Sequence, residues 1–412
     1  MMNFIFLVFL LILVIIFSFK SKNILYILPV FYITTCLYSV LGINILEFAV
    51  DVPFDLYRTF DYNNWDYSLY AYLLASISFI IGVHFSKKTN SRRRFLIDDL
   101  GSNFNKMSNV GLYLNNTSEV YKLIIILVTL TFLWFGYGVD NLVYRVGYVP
   151  EDGRIGFLLT LYTLFLPISS FILAFVKSKT LRYLLLIVLF FSVFGTTARM
   201  LLIIPVLYYV GVCLKYGRIK YKFGFFIFCV TILVLTYTLE YRNHAVQGII
   251  PNVMHLFHNG LDLSYVILGL NYVLSFSFAV NSYSLLNFSF NPSVFLIAIN
   301  PLPSTFLDMG YMIDNQSLNA NAPIPALSYL FLGGTFVGCS YYLLVGFFFS
   351  IIFDFVKKNS VLLYVVILAL FLLFVFFSGQ YNLRSVTRIT YYIIILGLCL
   401  KFYKIIVHNI KL

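Results

Sequence analysis

The sequence predicts an all-α protein that crosses a membrane many times, and three observations carry that reading. The 412 residues are 61% hydrophobic and only 11% charged, with a mean hydropathy of +0.92. The apolar residues come in blocks of about 17–25, the length a helix needs to cross about 30 Å of hydrocarbon. The alternating ten-residue segments that mark a membrane β-barrel are not seen.

The blocks run over 3–19, 24–43, 67–85, 121–139, 156–176, 183–198, 200–214, 223–239, 264–286, 293–307, 326–353, 360–378 and 388–406. Residues 1–19 lack a basic n-region and a small-residue cleavage site, so they read as a retained first span. The 293–307 block is short and holds Pro301 and Pro303, which suits a re-entrant or broken helix enclosed by protein. About 11 or 13 spans result, according to whether 264–307 crosses twice. The chain 1–412 reads as a single integral membrane domain without an attached soluble domain. Cys36, Cys213, Cys229, Cys339 and Cys399 lie in apolar blocks with neither metal-ligand spacing nor a disulfide framework.

Lysine and arginine separate across this topology. The 20–22 turn, the basic loop 86–120 with Arg92-Arg93-Arg94, the 177–182 and 215–222 turns, Lys357-Lys358 and the tail after Lys401 all fall on the cytoplasmic side by the positive-inside rule. All 16 lysines lie there with five arginines, against Asp98, Asp99, Glu119 and Asp354. The outer face, with its loops 44–66, 140–155, 240–263 and 308–325, carries seven arginines and 12 acids. The net charge of +12 is therefore an orientation signal and gives no ground for a nucleic-acid partner.

The outer arginines are Arg58, Arg145, Arg154, Arg199, Arg242, Arg384 and Arg388. Arg58 and Arg154 lie in acidic loops that offer partners. The others sit where orientation requires no cation, and a planar guanidinium holds phosphate bidentately as lysine does not. Several converging on one cavity would suit a diphosphate, stabilising it as a leaving group by electrostatics alone. Arg384 and Arg388 are four apart, on one face if that segment is helical, with Gln380 and Tyr381 just upstream. Glu240 and His244 are also four apart and supply a candidate base, as Asp308 does more weakly. His255 and His258 read as loop residues. No Asp-x-Asp or His/Cys ligand cluster is evident on the outer face, so no metal or other cofactor is expected.

Asn300-Pro-Leu-Pro-Ser304 and Asn321-Ala-Pro-Ile-Pro-Ala326 bracket the loop 308–320. Proline there removes N–H donors and turns the preceding residue away from helix, which predicts rigid non-helical connections. Asn315, Gln316, Asn319 and Asn321 between them would suit sugar hydroxyls. Gly333, Gly334 and Gly338 in the next span predict close helix packing.

Through Gly195-Thr-Thr-Ala-Arg199, Glu240-Tyr-Arg242-Asn, Asn300-Pro-Leu-Pro-Ser304 and Ala322-Pro-Ile-Pro-Ala326 leading to Gly333–Gly338, the chain resembles the Wzy-type O-antigen polymerases. The motifs span 195–340, and the likeness of hydropathy and size covers the whole chain. Arg145 and Gly156 fit an Arg-x10-Gly pattern of some members. The resemblance implies a GT-C-like glycosyltransferase of the bacterial inner membrane, with its active site facing the periplasm. It would join undecaprenyl-diphosphate-linked oligosaccharide repeat units, with membrane lipid, a flippase and a chain-length regulator as partners. On that reading Glu240, His244 and Arg242 serve catalysis. Arg199, Arg145, Arg384, Arg388, Asn300, Asp308 and Tyr381 hold the diphosphate and glycan, and Arg199 and Arg242 are the strongest matches. Two rivals are kept. An O-antigen ligase is suggested by His258-Asn259, nine residues, then Gly269 and Tyr272. A flippase of the same lipid-linked glycan would carry charges at mid-membrane depth along its path, whereas the charges here concentrate at span ends.

Overall fold

The computed structural model describes residues 24–42, 65–89, 114–147, 153–197, 199–216, 221–241, 244–260, 264, 275–302, 306–319 and 322–410. The expected first span 3–19, most of the 44–66 loop and most of the 86–120 basic loop lie outside them. In chain order the helices are α1 (Ile27–Leu37), α2 (Trp65–Thr89), α3 (Glu119–Tyr137), α4 (Val139–Val143), α5 (Gly156–Ile172), α6 (Lys179–Phe194), α7 (Ile203–Tyr216), α8 (Tyr221–Tyr241), α9 (Ile249–Asn259) and α10 (Phe276–Asn287). They continue with α11 (Pro292–Ile299), α12 (Met309–Asn315), α13 (Ala326–Leu332), α14 (Thr335–Asn359), α15 (Val361–Gln380) and α16 (Leu383–Ile410). Two short antiparallel ribbons pair β1 (Arg145–Val146) with β2 (Val246–Gln247) and β3 (Ser317–Asn319) with β4 (Ala322–Pro323).

Five stretches are long and apolar enough to cross a membrane: Trp65–Ser86, Glu119–Tyr137, Gly156–Phe175, Thr335–Lys357 and Leu383–Ile406. Shorter apolar helices cover Ile27–Val40, Met200–Tyr216, Lys222–Thr238 and Val366–Gln380. Apolar side chains such as Leu184 and Ile187 of α6 or Tyr392 and Ile395 of α16 point outward, as on helices solvated by lipid. Hydroxyls in the helix interiors return to their own backbone. Ser76 donates to the Tyr72 carbonyl at 2.7 Å, Thr129 to Ile125 at 2.8 Å and Ser170 to Leu166 at 2.7 Å. Each polar group is thereby answered within its helix, as a span without water requires.

The chain packs into two compact units. The first joins Met1–Phe95 to Asn271–Leu412, and the second is Leu96–Leu270. In the first, α2 and α14 pack most extensively. A Cβ at Gly82 would collide with the carbonyl of Leu343, and one at Gly346 with the carbonyl of Phe79. Such small residues let two backbones approach closely. Gly333 and Gly338 likewise make room, for the rings of Phe290 and Phe331. The 326–353 block, expected as one span, is instead two helices, because Gly334 turns the chain at φ +100° between α13 and α14. Among the described residues the proline-flanked connections are non-helical as expected: α11 begins at its Asn291 cap with Pro292 and stops before Asn300-Pro301, and Pro323 lies in β4.

Asn281, fully buried, joins four helices of this unit. Its Nδ2 donates to the Tyr72 hydroxyl at 3.1 Å and the Gly379 carbonyl at 3.2 Å, and its Oδ1 accepts from the Ser328 amide at 2.9 Å. Beside it the Tyr32 hydroxyl donates to Ser378 at 2.6 Å and meets the Tyr342 hydroxyl at 2.9 Å.

Gly346→Leu must push α14 from α2 and is expected to cost about 1–3 kcal/mol, read as a lower denaturation midpoint of the purified protein in detergent. Gly156→Ala, where an added Cβ meets nothing within 4 Å, should leave the midpoint unchanged or raise it. Equal stability of the two variants would disprove the close-packing role.

Candidate functional site

In the second unit, α3, α5, α6, α7 and α8 run up and down, and their two ends differ in chemistry. At one end three cations gather on the carbonyls that close α5 and its 3-10 extension. Lys122 donates to Phe175 at 3.0 Å, Lys215 to Ala174 at 2.9 Å, and Arg182 reaches Val176 at 3.4 Å. Glu119 pairs with Lys122 at 2.8 Å and accepts from the Lys177 amide at 3.0 Å. Cations suit the negative end of a helix dipole. This is the end that the lysine-rich turns share.

The opposite end holds the candidate site. The chain segments leaving α3, α6 and α8 meet there because glycine lets them. A Cβ at Gly195 would strike Ile249 and the Leu142 carbonyl. Gly248, at φ +124°, lies against the carbonyl of Val143. Asn252 of α9 donates to the Phe194 carbonyl at 3.1 Å and ties α9 to the end of α6.

Arg145 lies at the centre of this end and is buried. Its Nη1 donates to the carbonyls of Gly195 at 2.5 Å and Asn141 at 3.2 Å, its Nη2 to Thr197 Oγ1 at 3.0 Å and Gln247 Oε1 at 2.9 Å. Its guanidinium also stands 5.3 Å from the ring centroid of Tyr137, and that of Arg154 stands 5.6 Å from the same ring. Thr197 takes a left-handed backbone, φ +51°, which a β-branched residue adopts only when its surroundings enforce it. Here they are the Arg145 and Gln247 bonds, the latter 2.8 Å from Thr197 Oγ1. Arg145, expected to hold a diphosphate, is thus the joint between the 195–197 turn and the β1–β2 ribbon.

Glu240 and His244 do converge, though by a different route from the one the spacing suggests. The helix α8 ends at Tyr241, and His244 lies beyond it, its amide donating to the Tyr241 carbonyl at 3.2 Å. Gln247 Nε2 holds the His244 carbonyl at 3.2 Å. A third group joins them. His255 belongs to α9, correcting the loop expected there, as does His258, which is exposed and bonds Met254 on its own helix. The ligand-type atoms of Glu240, His244 and His255 all lie within 4.8 Å of one another, although the sequence shows no ligand cluster. Glu240 is buried, and His255 Nδ1 is 3.9 Å from its Oε1. The His255 ring packs edge-on to Tyr241 and His244. Burial, with His244 adding to it, holds the His255 pKa below the usual imidazole value, which favours the neutral ring.

Arg242 and the Gly269 and Tyr272 of the ligase-like spacing lie outside the described residues. Arg199 opens a 3-10 turn before α7 at this same end.

The remaining expected site residues belong to the first unit. Arg384 and Arg388 both lie at the start of α16. Arg384 is buried, and its Nη1 and Nη2 donate to the carbonyls of Ile297 at 2.7 Å, Asn300 at 3.1 Å and Leu302 at 2.7 Å. It thus closes the C-terminus of α11. Asn300 takes the Leu302 amide at 3.0 Å on its Oδ1, and the exposed Asp308 caps α12 through the Tyr311 amide at 3.0 Å. Tyr381 accepts the Ala326 amide on its carbonyl at 2.7 Å. An apolar cavity of about 390 Å³ lies among α11, α14 and α16, lined by Phe295, Ile299, Phe336, Leu344 and Tyr391 among others.

Sequence reasoning missed His255, Gln247 and Thr197. The signal for His255 was its place seven residues after the Gly248 break, about two helical turns into α9. Compared with family models, curated proteins and solved structures, the chain matches none.

Arg145→Lys keeps the charge and loses the fork, so it should destabilise the second unit by about 2–3 kcal/mol. The expected readout is a lower melting midpoint and less protein in the membrane. An unchanged midpoint would show that the Arg145 network is dispensable to the fold.

Proposed function

We propose that this chain is a Wzy-type polymerase. It would transfer a glycan from one undecaprenyl diphosphate carrier to the next lipid-linked repeat unit at the periplasmic face of the inner membrane. The observation that carries this reading is the convergence of Glu240 and His244 at the end of the second unit where the Gly195–Arg199 segment also lies. Both segments are motifs on which the family resemblance rests. The carboxylate and imidazoles supply a base for the acceptor hydroxyl. Arg199 and Arg242 supply the guanidinium groups that would stabilise the departing diphosphate. A GT-C-like arrangement of about 11–13 spans belongs to the same proposal, as do the flippase and chain-length regulator as partners. Arg145 and Arg384 enter it as supports of the site and of α11.

Arg199→Lys and Arg242→Lys should each abolish long-chain polymer while protein in the membrane stays at its normal level, leaving surface glycan of one repeat unit per anchor. Full-length polymer from both variants would refute the diphosphate clamp. In a deletion strain, loss of all surface glycan with lipid-linked units trapped inside would indicate a flippase, and intact polymer left on its carrier would indicate a ligase.

A further inference from the structure

We propose that Glu240, His244 and His255 form a binding site for one divalent transition-metal ion, for which zinc is the best-suited cation. The inference stands apart from the polymerase reading, since it rests on the donor set and its geometry alone.

One carboxylate oxygen and two imidazole nitrogens, all within 4.8 Å of one another, converge from the end of α8, from His244 beyond it and from α9. The donor set decides the class of cation. Hard cations such as calcium and magnesium take oxygen ligands. Two histidines with one carboxylate suit zinc or a neighbouring first-row ion, and three protein ligands leave a coordination position open to water or substrate. Two ligands about 2.0–2.1 Å from a tetrahedral zinc stand roughly 3.3 Å apart. The 3.9 Å between His255 Nδ1 and Glu240 Oε1 is longer than a hydrogen bond and is close to that spacing. His244, which lies outside either helix, can close the remaining gap by side-chain rotation.

The surroundings suit a metal as well. Tyr241 packs edge-on to His255 at 5.1 Å, and Tyr237 stacks on Tyr241 at 5.7 Å, so apolar rings cover one side. Gln247 fixes the His244 backbone and belongs to the Arg145 network. A cation there carries the charge of the buried Glu240 and pins α9 to the end of α8. If the polymerase reading also holds, Glu240 and the two histidines would serve it as ligands in place of the base, and an acceptor hydroxyl at the open position would be acidified by the ion.

The test uses the full chain without a histidine tag, purified in detergent, stripped with EDTA and titrated with Co²⁺ as a visible probe. The proposal expects about one Co²⁺ per chain with a four- or five-coordinate absorption spectrum, its displacement by Zn²⁺, and a higher melting midpoint with Zn²⁺. His244→Ala, His255→Ala and Glu240→Gln should each weaken binding by about 100-fold or more, while His258→Ala, exposed on the same helix, should not. If a ligand variant fails to fold, the wild-type stoichiometry still decides. No saturable Co²⁺ uptake by the wild type, unchanged affinity in both His244→Ala and His255→Ala, or an equal loss in His258→Ala would each overturn the proposal.

Discussion

A helix that stops inside an apolar chain leaves its last carbonyls with no water to bind, and long cationic side chains answer them throughout this protein. Arg384 takes three carbonyls at the end of α11 and just beyond it. Arg145 takes the Gly195 carbonyl where α6 gives way to its turn. Lys122, Arg182 and Lys215 share the carbonyls at 174–176. Without these bonds, the carbonyls that close α11 and the Gly195 carbonyl at the end of α6 would lose their side-chain donors.

The same constraint changes the meaning of the arginines. A guanidinium matches a diphosphate because it presents parallel donors in a fixed plane, and for that reason it also matches two carbonyls diverging from a broken helix. Residue type and position at a span end do not separate these two roles. Geometry does: Arg145 and Arg384 have their donors turned into the protein. Arg384 stands at the N-terminal end of α16, where its own helix dipole disfavours a cation, and the C-terminal dipole of α11 compensates.

Much of the fold was legible because hydropathy reports directly on burial in lipid. The expected blocks fall on α2, α3, α5, α6, α7, α8, α15 and α16 within a few residues. The break at Gly333-Gly334 was not legible, since glycine pairs serve close packing and chain reversal alike, and only the backbone angle at Gly334 distinguishes them. At the site, the Glu240–His244 pairing was legible from spacing even though the helix assumed for it ends at Tyr241. His255 was not, because its approach depends on Gly248 lying against Val143 and on Asn252 anchoring α9 to Phe194, contacts between residues far apart in the chain.

The pairing of α2 with α14 has a consequence for biogenesis. About 250 residues separate them, so at 5–20 residues per second the ribosome needs about 12–50 s to deliver the second helix after the first. Throughout that interval α2 resides in the bilayer with the face around Gly82 bare to lipid, and for about the first three-quarters of it the Asn281 partner of its Tyr72 is not yet synthesised. The whole second unit is made in between. The first unit is therefore the last to close, and its nascent half must be inserted, oriented and guarded against wrong helix partners by the insertion machinery or by its own hydrophobicity.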